Sequence, residues 1–166
     1  MLLLLSLMAL AALKVTNGSL KIAGNNLQHS QGLTAAQGAI EQVISTTQFA
    51  TTPAAAVPQP CNGVANTTCV DIDGDGAPDI NVAVAPTCTA VQVIPVAALN
   101  FSDANDAGCI AGANQDFGVA NGASNNSMCA NMVWDIQATA SDTLNNAKTT
   151  VHQGIAVRVP ATTVCQ

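Results

Sequence analysis

Aromatic residues are nearly missing from this chain of 166 residues, which has one Trp, three Phe and no Tyr. A core without rings packs weakly, so covalent cross-links are expected to compensate. Positive charge is scarce too. Four Lys and Arg stand against ten Asp and Glu, for a net charge of −6. That balance excludes an electrostatic nucleic-acid binder, which needs a basic face to displace counterions. Only two histidines occur, His29 and His152, and neither sits at ligand spacing to a cysteine, which argues against zinc. His152 falls in an alternating segment with no positioned Ser or Cys partner, and no catalytic constellation emerges elsewhere. The chain does not read as an enzyme.

What is present is a leading apolar run. Met1–Leu13 carries no charge and is broken only by Ser6. Such a segment cannot face water all round a helix, so it belongs in lipid or among like helices. At about 1.5 Å per residue it covers only roughly 20 Å, short of the roughly 30 Å bilayer core. A cleaved signal peptide would begin with a basic stretch, and none precedes these leucines, so the segment reads as retained. A single-pass membrane anchor is the plain alternative. Lys14 and Lys21 precede every acid, and nine of the ten acids lie at or after Asp71. Asn, Gln, Ser and Thr supply the remaining polarity, a surface suited to a secreted protein that packs among its own copies.

From Leu20 to about Phe49 there is no proline, and Leu33, Ala36, Ile40, Val43 and Ile44 recur at helical spacing, with Gln28, Gln31, Gln37, Glu41 and Gln42 off that stripe. Leu20, Ala23 and Leu27 make a shorter stripe on another face. One long helix is predicted, open to a break near Thr16–Ser19, its first half projecting and its second half amphipathic. Thr51–Pro60 holds three prolines and reads as a surface linker. Two strands follow, Ile80–Ala85 and Thr89–Ile94, bounded by Pro78, Pro86 and Pro95. Asn100–Asn131 reads as a long loop. Met132–Ala140 alternates, with Trp134, Ile136 and Ala138 facing a core, and Thr149–Pro160 repeats the period to complete a hairpin. The expected fold class is α+β, with an antiparallel sheet against the second half of the helix. The expected divisions are 1–24 (apolar helix half), 25–50 (amphipathic half), 51–60 (linker) and 61–166 (β-rich head).

Six cysteines, at 61, 69, 88, 109, 129 and 165, lie outside the apolar run without a C-x-x-C. An even, widely spaced set reads as three disulfides and an oxidising compartment. Of the many possible connectivities, the expected one joins the two nearest, Cys61 with Cys69, then Cys109 with Cys129, leaving Cys88 with Cys165.

Asp71-Ile72-Asp73-Gly74-Asp75-Gly76-Ala77-Pro78-Asp79 is the sharpest local motif. Acids at positions 1, 3, 5 and 9, a glycine at 6 and a carbonyl at Ala77 match most of an EF-hand-type loop. Ca²⁺ wants several hard oxygens, and alternate residues of a tight turn supply them. Val82 stands where a bidentate Glu would close the shell, so another residue must complete it. A solvated acidic turn is the alternative reading. The expected calcium ligands are Asp71, Asp73, Asp75, Ala77 and Asp79. Four N-x-S/T sequons, at Asn17, Asn66, Asn100 and Asn125, are near chance frequency in so Asn-rich a chain.

The run from Lys21 to Gln42, K-I-A-G-N-N-L-Q-H-S-Q-G-L-T-A-A-Q-G-A-I-E-Q, resembles the helix of PilX-type minor pilins of the type IV pilin superfamily. Ala23, Gly24 and Asn25 match that family's A-G-N element, and Ala35, Ala36, Gly38, Ala39 and Ile40 its small-and-apolar helix. The likeness covers roughly the first 50 residues and, more loosely, the last 35. It implies a structural subunit of a pilus-like filament, held in a bacterial inner membrane before assembly and polymerising with copies or sister pilins on the cell surface. By comparison with family helices, about eight residues are expected before Met1, in line with the short span. A type II secretion pseudopilin and a membrane-tethered calcium-dependent adhesin are the rival functions.

Overall fold

The computed structural model describes residues 2–100, 102–109 and 126–165, with residues 2–17, 105 and 107 described by their backbone alone. It has one long helix and one antiparallel sheet, an α+β architecture. Helix α1 runs unbroken over Leu2–Ile44, 43 residues and roughly 65 Å. No break occurs at Thr16–Ser19, because a single glycine costs a helix only about 1 kcal/mol.

The helix stops at Ile44, short of the expected Phe49, and the residues beyond it explain why. Ser45 Oγ donates to Gln42 O (2.8 Å) and Thr46 Oγ1 to Val43 O (3.2 Å), so side chains claim carbonyls that the next helical turn would use. The chain turns, and the one-turn helix α2 (Gln48–Thr51) drives Phe49 into the core. The segment expected as a surface linker is also corrected. Ala56 and Val57 are buried, because Asn66, itself at φ +55°, folds over the segment. Asn66 Oδ1 accepts the N–H of Ala56 (2.6 Å) and Val57 (3.3 Å), while its Nδ2 donates to Pro53 O (2.7 Å).

Four strands follow in sheet order β1-β2-β3-β4: β1 (Thr67–Val70), β2 (Ile80–Pro95), β3 (Asn126–Asp142) and β4 (Lys148–Pro160). β1 was not expected. The two strands expected on either side of Pro86 are one. Proline is tolerated there because β1 pairs with β2 only over Ile80–Ala83. Val84 N–H points away from β3, to Asn66 O (2.8 Å), and Pro86, two residues on, faces the same flank where no strand needs a donor. A bulge at Thr89 shifts the register, and the Thr89 hydroxyl donates to Val133 O (3.0 Å). Between β2 and β3, the short helix α3 (Ala104–Ala107) lies within the expected loop, whose residues 110–125 fall outside the described set.

One buried cluster contains Ala35, Ala36, Ala39, Ile40 and Val43 of α1 together with Phe49, Val57, Val82, Val84 and the even-numbered face of β3 from Met132 to Ala140. Trp134 is 1% exposed and meets Phe49 edge-on, ring centroids 5.6 Å apart. Val151, Ile155, Val157 and Val159 of β4 pack at its margin. A smaller cluster at the other end of the sheet holds Ile94, Leu99 and Cys109. There, buried Asp106 pairs with Arg158 (2.8 Å) and accepts the Asn100 N–H (2.8 Å), fixing the α3 segment to β4.

The disulfides are Cys61–Cys69, Cys88–Cys165 and Cys109–Cys129, the pairing chosen from the sequence, with Cα atoms 5.6, 5.5 and 5.2 Å apart. Loop closure makes their contributions unequal. The sequence separations of 8 and 77 correspond to about 2.5 kcal/mol for Cys61–Cys69 and about 4.5 kcal/mol for Cys88–Cys165 in the chain-entropy account. Replacing Cys88 and Cys165 together by alanine is therefore expected to lower the denaturant midpoint more than replacing Cys61 and Cys69. Equal losses, or the reverse order, would contradict this ranking.

Candidate functional site

The acidic loop is the connection from β1 to β2. Val70 O accepts the Asp79 N–H (3.0 Å), closing the loop at its base, and Ile72 N–H donates to Asp79 Oδ2 (2.7 Å) across it. Gly74 and Gly76 sit at φ +80° and +90°, the left-handed region where a side chain is strained. Those two turns point the Gly74 and Gly76 N–H groups at Asp71, Oδ1 at 2.7 Å and Oδ2 at 2.8 Å. The bonds, that from Gly76 first, hold the Asp71 carboxyl below the usual aspartate value of 3.8.

Of the four expected carboxylate ligands, the structure gathers three. Asp71, Asp73 and Asp79 each offer a carboxylate oxygen, all within 4.8 Å of one another. Asp75 lies outside that group, and its Oδ1 accepts the Ala77 N–H (2.7 Å). Three converging hard oxygens suit a divalent cation of the Ca²⁺ type, and each retains a lone pair beyond its hydrogen bonds.

Residues remote in sequence border the same place. Asp73 and Asp79 line a cavity of about 230 Å³ with Gln28 and Gln31 of α1 and with Asp142 and Leu144 from the β3–β4 turn. That turn is tied to the loop, since Thr143 N–H donates to Asp79 O (2.9 Å) and Thr143 Oγ1 to Pro78 O (3.3 Å). Asp142 follows from strand register alone, as it pairs with Ile80 at the start of β2. No local motif marks it.

The second feature is the part of α1 beyond the cluster. Leu20, Ile22 and Leu27 are 66%, 72% and 60% exposed. At about 100° per residue, Leu20 and Leu27 share one face of the helix and Ile22 lies toward the other side. Among the described residues, no helix is long and apolar enough to cross a membrane. His152 is exposed and meets Asp135 at 2.9 Å, and His29 is exposed. Trp134 is a core residue, as expected, and its indole N–H has no acceptor among the described residues.

No known family model, curated protein or solved structure matches the chain.

Because Asp71 ionises more readily in the folded chain than unfolded, its contribution to stability is present above the unfolded aspartate value and is lost as pH falls through the folded one. A carboxyl-detected NMR titration is expected to place Asp71 below 3.8, and Gly74→Ala, which strains the turn, to move it upward. A wild-type midpoint at or above 3.8 would contradict the hydrogen-bonded loop.

Proposed function

We propose that the chain is a structural subunit of a type IV pilus-like extracellular filament, polymerising through its N-terminal helix. The observation that carries this reading is the contrast along one unbroken helix. Ala35, Ala36, Ala39, Ile40 and Val43 are buried in one cluster with sheet residues, while Leu20, Ile22 and Leu27 stand uncovered on more than one face. Burying a leucine or isoleucine is worth about 1.5–3 kcal/mol, so these three side chains favour association strongly. A single neighbour covers one face of a helix. Apolar residues on several faces ask for several neighbours, as in a bundle of identical helices. The leucine-rich run before Lys14 extends the same demand.

In this reading the second half of α1 is mounted on the sheet, and the disulfide-bonded head forms the outer coat. The chain waits in the inner membrane and is drawn into the filament, where like helices replace lipid. Ca²⁺ would be held by Asp71, Asp73 and Asp79, and it would offset the repulsion among carboxylates crowded into one turn. The six cysteines, all paired, suit an extracellular or periplasmic setting.

Leu20→Asp with Leu27→Asp should leave the oxidised head folded, because neither side chain is buried. It should also remove the chain from the filament fraction sheared off cells, measured by immunoblot of that fraction against whole cells. An undiminished surface fraction, or a wild-type chain found only as a periplasmic or tethered monomer, would contradict the filament reading. Calorimetric titration with Ca²⁺ should show binding that Asp71→Asn and Asp73→Asn weaken by roughly tenfold or more each. Absence of heat with the wild-type chain would remove calcium from the account.

A further inference from the structure

A groove of about 400 Å³ runs along the side of α1 facing β1, with Thr34, Ala35, Gly38 and Ala39 on the helix wall and Val70 and Ile72 on the other. Its lining is mostly apolar, and Gly38 leaves it wide. A Cβ built there would meet nothing within 4 Å. Gln31 and Ile72 border both this groove and the acidic cavity lined by Asp73, Asp79 and Asp142, so the two adjoin at one end of the groove. The trough is thus apolar along its length and negative at its end.

The chain itself carries a segment of the opposite character. Leu20 and Leu27 present an exposed apolar face one helical repeat long. Lys21 is the one lysine or arginine among the described side chains of α1, and it lies on the flank of that face. Its long stem can lie along apolar surface while the ammonium reaches outward. Within one copy this segment and the groove lie on the same rigid helix, so the segment cannot fold back onto the groove beside it.

We infer that the groove between α1 and β1 receives the Leu20–Leu27 face of a second copy of this chain, with Lys21 of that copy set against the acidic loop. The inference rests on the filament reading and names a contact within it. Charge complementarity selects this occupant: the groove ends among carboxylates, and the apolar helix face that fits it bears a cation on its flank. A bound divalent ion would cancel two of the loop's four negative charges, and Asp142 adds a further carboxylate to the cavity at the groove's end. Docking here also leaves Ile22, on the other side of the helix, free to meet neighbouring helices.

The test uses the full-length chain in filaments sheared from cells, with a benzophenone amino acid at Leu27 and a mixture of light and heavy isotope-labelled copies. Photo-cross-links are expected between copies, landing on peptides that contain residues 34–42 or 68–72. Lys21→Glu should lower their yield by roughly tenfold, and Lys21→Arg should preserve it. Gly38→Leu should keep the circular dichroism of the wild type, since the site is open, yet lose the cross-link by filling the groove. Cross-links confined to residues 2–27 of neighbouring copies, or a yield indifferent to Lys21→Glu, would overturn the groove contact while leaving the filament standing. Absence of both filaments and intermolecular cross-links would overturn the two together.

Discussion

Trp134 and Phe49 are the two fully buried aromatic side chains among the described residues, and their edge-to-face contact sets the spacing of everything around them. A chain so poor in rings cannot assemble several such centres. It surrounds this one with alanines and β-branched residues: Ala35, Ala36 and Ala39 on the helix, Ala138 and Ala140 on β3, Val82 and Val84 on β2. Small side chains bring backbones close. Gly32 shows how close, because a methyl at that position would come within 3.0 Å of Thr149 Oγ1 on β4. The result is a thin core with high demands on geometry, and three disulfides tie the chain together around it.

The same economy divides the long helix. Ala35, Ala36, Ala39, Ile40 and Val43 take their place in the core, and residues 18–24 are exposed in a single copy. Charge follows the division. Lys14 and Lys21 belong to the helix, while nine of the ten acids lie at or after Asp71 with Lys148 and Arg158 as the head's two cations, so in the proposed filament a helix of one copy and a head of another would attract each other. In a filament this polarity would order the subunits along the axis.

Much of this was legible in the residues themselves. The alternation around Trp134 placed the core face of β3, and the stripe through Ala36, Ile40 and Val43 placed the buried face of α1. Thr67–Val70 was missed because four residues of threonine, cysteine and valine carry too short a pattern to stand out. The end of α1 escaped because Ser45 and Thr46 compete for helical carbonyls through their hydroxyls, which hydrophobic periodicity does not register. Pro86 suggested a strand boundary, and only the shortness of β1 reveals why a proline can sit mid-strand. The acidic loop was plain from its spacing. Its neighbours Gln28, Gln31 and Asp142 arrive from the helix and from strand register, both tertiary facts with no local signature.

Electron cryomicroscopy of filaments sheared from cells that make this chain tests the central claim most directly. The account predicts α1 helices of many copies bundled on the filament axis, residues 2–27 enclosed, and the cysteine-linked heads outside. Filaments in which α1 lies on the outer surface or is missing, or preparations in which this chain forms none, would contradict it.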